Sequence, residues 1–82
     1  RSTMDTSGLE LYYMPTCPYC KKVLRFMDAH DIRMPLHDIM SDAHDHDYLA
    51  EHGGKVQVPC LFIDGEALYE SDDIIEYLQD RL

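Results

Sequence analysis

No stretch of the 82-residue chain approaches the roughly 20 consecutive apolar residues that a membrane-spanning helix requires. The N-terminus carries no apolar core segment, so a secretory signal is not expected. Basic residues are scarce, with 7 Lys and Arg against 16 Asp and Glu, for a net charge of −9. Nucleic acid and anionic membrane surfaces reward the opposite balance, so neither is an expected partner. There are only 3 cysteines. An odd count fits a reducing, cytoplasmic setting better than a disulfide scaffold. The length allows one small domain with a modest core. The apolar share, 45%, is that of an ordinary globular protein.

What is present is organised around Cys17-Pro18-Tyr19-Cys20. The apolar run over 9–14 reads as a buried strand, and the pattern over 21–30 reads as a helix. Cys17 therefore stands at a helix start, where N–H groups lack intrahelical partners and the dipole favours negative charge. A thiolate is stabilised there, and the thiolate is the form that attacks disulfides. Pro18 suits the first helical position, because its missing N–H would have been unpaired anyway. Cys20, one turn on, can reach the Cys17 sulfur, and Lys21 and Lys22 bring positive charge close by. The alternatives are half of a zinc site or an inert buried pair. A zinc site needs about four ligands and no second such pair exists, so no metal site is expected. Redox chemistry is the expectation.

Residues 1–8 are polar and without pattern. They read as a disordered extension or an expression remnant, with Met4 a candidate initiator, and the folded domain is expected over 9–82. In the first strand Leu9, Leu11 and Tyr13 share one face, opposite Glu10 and Tyr12. In the first helix Val23, Phe26, Met27 and His30 fall at i, i+3, i+4 and i+7, which predicts one buried stripe. Residues 33–39 predict a second strand, with Pro35 at its start or on an edge. Ser41 or Asp42 caps a second helix running to about His52, which Gly53-Gly54 stops. Ala43, Tyr48 and Leu49 are its thin apolar face. Residues 60–63 predict a short strand, Asp64-Gly65 a two-residue hairpin turn, and residues 67–69 the returning strand. Ser71 caps a last helix, with Asp72 and Asp73 complementing its dipole and Ile74, Ile75, Leu78 and Leu82 on its buried face. The order β-α-β-α-β-β-α predicts an α/β domain, a mixed four-stranded sheet with three flanking helices.

Four of these segments together resemble glutaredoxins of the thioredoxin fold: Leu11-Tyr12-Tyr13 before the cysteine motif, Val58-Pro59 before a strand, Asp64-Gly65, and Asp72-Asp73 opening the last helix. The likeness runs in order from Leu9 to Leu82. From Val58-Pro59 through Glu70 to Leu78 the chain is also similar to the N-terminal domain of glutathione transferases. Both resemblances imply glutathione as ligand, and the first implies it as reductant with no tightly bound cofactor. They imply Cys17 as the nucleophile that takes up glutathione, and Cys20 as the resolving thiol. Pro59 would be a cis-proline that sets the Val58 backbone against the cysteinyl part of glutathione. Ser71 and Asp72 would receive its γ-glutamyl end at the helix N–H groups, and Tyr19 would pack beside it. The implied activity is reduction of protein disulfides and glutathione mixed disulfides. The implied partners of this monomer are disulfide-containing or glutathionylated proteins. Two alternatives come with the resemblance. One is an iron–sulfur cluster carrier, bridged between subunits by Cys17 and two glutathiones. The other is a transferase-like glutathione-binding module. With the chain ending at Leu82, a transferase's helical second domain is not expected.

Two positions depart from the glutaredoxin pattern. Met14 stands where many members carry lysine, and Tyr69-Glu70 where many carry Gly-Gly. Lys55, in the loop before Val58-Pro59, is the candidate replacement contact for the glycine carboxylate of glutathione; the plainer reading is a solvated loop charge. His37, His44, His46 and His52 lie among aspartates. Two histidines two apart on a helix project about 200° apart and cannot chelate together, so surface histidines are expected. Cys60 reads as a small buried apolar residue, with a third redox thiol as the sharper alternative. Tyr12 and Tyr13 read as core and rim.

Overall fold

The computed structural model describes residues 7–81. The expected N-terminal extension thus lies outside the described residues except for Ser7 and Gly8, as does Leu82, expected on the buried face of the last helix. The elements are β1 (Leu9–Tyr13), α1 (Pro18–Ala29), β2 (Leu36–Asp38), α2 (Ala43–Gly53), β3 (Cys60–Ile63), β4 (Glu66–Tyr69) and α3 (Ser71–Asp80). The strands form one sheet in the order β2-β1-β3-β4. β1 pairs parallel with β2 and antiparallel with β3, and β3 pairs antiparallel with β4. This is the thioredoxin fold. The parallel pair needs a crossover, which α1 supplies, and the hairpin needs only two residues. Asp64 and Gly65 have φ of 50° and 89°, the pair of positive values a type I′ turn demands. The Asp64 N–H also donates to the Gly8 carbonyl at 2.9 Å, tying the hairpin to the start of β1.

β2 is shorter than expected. Pro35 lacks an N–H and precedes the strand, although its carbonyl still accepts from Leu11 N at 3.1 Å. Asp42 caps α2 by accepting from His44 N at 2.9 Å, and Gly54 ends the helix at φ 85°.

The sheet is covered on both faces. On one, Leu9, Leu11 and Leu61 meet Val23 and Met27 of α1 and Ile74 and Leu78 of α3. On the other, Tyr12 and Phe62 meet Leu49 of α2. Burying a Leu- or Ile-sized side chain stabilises by roughly 1.5–3 kcal/mol, so these layers hold the fold. Tyr12 is therefore core, stacked on His37 at 4.4 Å and Tyr48 at 5.5 Å. Two side chains assigned to apolar faces are exposed instead. α1 ends at Ala29, so His30 lies past the buried stripe and leans on the Phe26 ring at 4.4 Å. Ala43 is the first residue of α2, next to the Asp42 cap. No helix among the described residues is long and apolar enough to cross a membrane.

Candidate active site

The strand–turn–helix step from β1 to α1 delivers the two thiols. Cys17 is the N-cap of α1, with extended backbone at φ −81° and ψ 122°, and Pro18 follows at the first helical position. The Cys17 N–H donates to the Met14 carbonyl at 3.1 Å, closing the turn, and the Cys17 carbonyl accepts the first helical bond from Lys21 N at 3.0 Å. The Cys17 side chain makes no capping bond, so its sulfur is free for other chemistry at the positive end of the helix. Cys17 is half-buried, whereas Cys20 has no exposed surface. Burial, first of all, pushes the Cys20 thiol up to about 12. A bond from Met14 N at 3.4 Å opposes that rise, while the hydrogen bond to Cys17 and the charge there add to it. Cys20 therefore keeps its proton at neutral pH.

Beside the dithiol lies an open cleft of about 570 Å³ lined by Tyr19, Gln57, Val58, Pro59 and the α3 start from Glu70 to Asp73. The Val58–Pro59 peptide is cis. Ser71 does not cap α3 as expected. It is the first helical residue and is buried, and Glu70 occupies the N-cap at φ 73° and ψ 121° without a side-chain capping bond. That φ explains one departure from the glutaredoxin pattern. The residue before the buried Ser71 needs a positive φ, which glycine adopts freely and Glu70 adopts under strain. The first intrahelical bond of α3 is Ile74 N to Glu70 O at 3.0 Å. The N–H groups of Ser71, Asp72 and Asp73 thus precede the helical ladder and form a ready carboxylate site. Around them stand three carboxylates. Asp72 is paired with Lys22 of α1, and Glu70 accepts from Gln57 Nε2 at 3.0 Å. N–H donors beside carboxylates suit a ligand end that carries both a carboxylate and an ammonium.

The cleft thus gathers Tyr19, Val58, Pro59, Ser71 and Asp72 next to the cysteine pair. It does not gather Lys55. The Lys55 ammonium lies over the Tyr69 ring, 4.7 Å from its centre, and its carbonyl accepts from the Tyr69 hydroxyl at 2.9 Å. That contact sets the Lys55 ammonium over a β4 ring rather than in the cleft lining. Gln57 and Glu70 were missed. Only their places beside Val58-Pro59 and Ser71 marked them, because neither type is distinctive. Cys60 is fully buried and outside the cleft, and burial pushes its thiol up to about 11 against bonds from Tyr69 and Leu68. His37 bonds Glu10 at 2.7 Å and Asp45 at 3.3 Å, and His52 contacts the Tyr48 carbonyl at 3.2 Å. Among the described residues no three His, Cys, Asp or Glu side chains gather as a metal ion would require.

The sheet order and the thiol at the start of the first helix place the molecule in the thioredoxin class. Within it, the chain belongs to the family described as the glutathione S-transferase N-terminal domain, which matches residues 11–81. It is similar to glutaredoxin 3 of Escherichia coli K12, with 25% identity over 68 residues, 83% of this chain and 82% of that protein. The solved structure of the thioredoxin-like protein BC3987 matches with a TM-score of 0.75 and 30% identity, over 90% of this chain and 99% of that one. A diazinon-metabolizing glutathione S-transferase of the silkworm Bombyx mori matches with a TM-score of 0.73 and 25% identity. There the match spans 89% of this chain but only 37% of the transferase.

Proposed function

We propose that residues 9–82 form one glutaredoxin-like domain that reduces glutathione mixed disulfides and protein disulfides, with glutathione as reductant. The observation that carries this reading is the half-buried Cys17 at the α1 start, with buried Cys20 one turn on and Tyr19 lining the adjoining cleft. The Cys17 thiolate attacks the glutathione sulfur of an adduct. A Cys17–glutathione disulfide forms, the old S–S bond breaks, and the target sulfur leaves as a thiolate that takes a proton. A second glutathione thiolate then attacks the adduct, releasing oxidised glutathione and the Cys17 thiolate. With a protein disulfide, Cys17 first bonds one target sulfur and the other leaves as a thiolate. Cys20 loses its proton to that thiolate and displaces the bound target sulfur. Two glutathione molecules reduce the resulting Cys17–Cys20 disulfide and leave oxidised.

The γ-glutamyl end of glutathione carries a carboxylate and an ammonium, which the Ser71 and Asp72 N–H groups and the Glu70 and Asp72 carboxylates would receive. The reading takes the molecule as a cytoplasmic monomer whose protein partners carry disulfides or glutathione adducts. The family match favours a second reading, a glutathione-binding module of a transferase, which conjugation of an electrophile to glutathione would reveal. Amide chemical shifts of a Cys17→Ser variant test glutathione binding itself. Oxidised glutathione should perturb Tyr19, Gln57, Val58, Ser71 and Asp72. No shifts at millimolar ligand would remove glutathione from the proposal.

A further inference from the structure

We propose that the groove between α1 and α3 docks an acidic, apolar segment of the proteins whose sulfur reaches Cys17; this rests on the thiol exchange proposed above. The groove, about 630 Å³, lies on the helix that carries the dithiol but shares no lining residue with the glutathione cleft. Half-buried Phe26 and Ile75, with Ala29, supply its apolar part, and Pro18, the neighbour of Cys17, lies at its end. A segment lying there would lead directly to the sulfur.

Charge identifies the occupant. The chain has only 7 basic residues and a net charge of −9, yet Lys21, Lys22 and Arg25 all line this one groove. Lys22 is engaged with Asp72. Among the described residues Lys21 and Arg25 have no ion-pair partner, and both are exposed. Two unpaired cations beside an apolar trough match carboxylates interspersed with aliphatic side chains. A wholly acidic partner would be repelled at long range by the net charge, so the partner carries its carboxylates in one segment.

The test uses two synthetic peptides, each bearing one glutathionylated cysteine, flanked by Glu-Leu repeats in one and Lys-Leu repeats in the other. A glutathione–mercaptoethanol mixed disulfide reports basal exchange. At low salt, kcat/KM for the acidic peptide should exceed that for the basic one by about tenfold, as two or three exposed ion pairs allow. The preference should fall below about twofold at high salt and in an Arg25→Glu, Ala29→Glu variant, with the small disulfide unaffected. A cysteine-free acidic peptide should shift the amides of Lys21, Arg25, Phe26 and Ile75. Equal turnover of the two peptides, or shifts elsewhere, would overturn the proposal. So would self-association through the groove, read by sedimentation as a dimer lost in the variant, or binding of anionic lipid vesicles in place of the peptide. If the small disulfide is not turned over but the cysteine-free peptide still shifts those four amides, thiol exchange fails while the docking surface stands.

Discussion

Replacing Glu70 should reverse the ordinary ranking of alanine and glycine. At an unremarkable position glycine is less stable than alanine by roughly 0.5–1 kcal/mol, through its freedom in the unfolded chain. Glu70 sits at φ 73°, where a Cβ is crowded by its own backbone, at a cost of order 1–3 kcal/mol. Both Glu70→Ala and Glu70→Gly lose the exposed bond from Gln57, so that loss cancels between them. Only glycine relieves the strain. Glu70→Gly should therefore exceed Glu70→Ala by about 1 kcal/mol, which in a domain this small is about 4–8 °C in Tm. Urea unfolding of the two variants side by side gives the difference. At the same time both variants lose a cleft carboxylate, so both should bind oxidised glutathione more weakly than the parent. Alanine as stable as glycine would show that the backbone at 70 is unstrained and that the account of the Gly-Gly departure is wrong.

Alkaline pH should destabilise the reduced protein. Burial raises the Cys20 and Cys60 thiols from 9.0 to about 12 and about 11, so their stability contribution is fully present below 9 and is lost as pH rises through those values. Urea midpoints should fall between pH 9 and 11 with a slope that Cys60→Ala reduces by about one proton, and a flat profile there would contradict the burial argument. Iodoacetamide at neutral pH should label Cys17 before Cys20 or Cys60, read by peptide mass spectrometry; either buried thiol labelling first would refute the assignment. Lys55→Glu should change affinity for oxidised glutathione by less than about twofold, since that ammonium rests on Tyr69 and its charge is screened. A loss of tenfold would return Lys55 to the cleft.

The fold was legible where local chemistry is unambiguous. Asp64-Gly65 can make few turns besides a tight hairpin, and Cys17-Pro18 states a helix start outright. Asp42 and Gly54 bounded α2 although its apolar face was thin. Period two put Tyr12 on the face opposite Leu9 and Leu11; because β1 is central and buried on both faces, that alternation separates two cores rather than core from water. His30 matched the helical period but lies one residue past the end of α1, which no spacing rule marks. At the site, the motif residues Tyr19, Val58, Pro59, Ser71 and Asp72 line one cleft, whereas Gln57 and Glu70 enter its lining by position alone. Ser71 looked like a cap by residue type; the positive φ that places Glu70 there is a backbone property invisible in a side-chain pattern. Lys55 was placed by its position in the loop before Val58-Pro59, and its ammonium lies over the Tyr69 ring.

Turnover of a glutathione mixed disulfide, coupled to glutathione reductase, tests the thiol chemistry most directly when run on the parent, Cys17→Ser and Cys20→Ser. Cys17 alone of the three cysteines occupies the α1 start, and the proposed mechanism needs Cys20 only where two thiols act. The parent should turn the adduct over, Cys20→Ser should retain that activity while losing reduction of protein disulfides, and Cys17→Ser should lose both. Substantial turnover by Cys17→Ser would contradict the assignment.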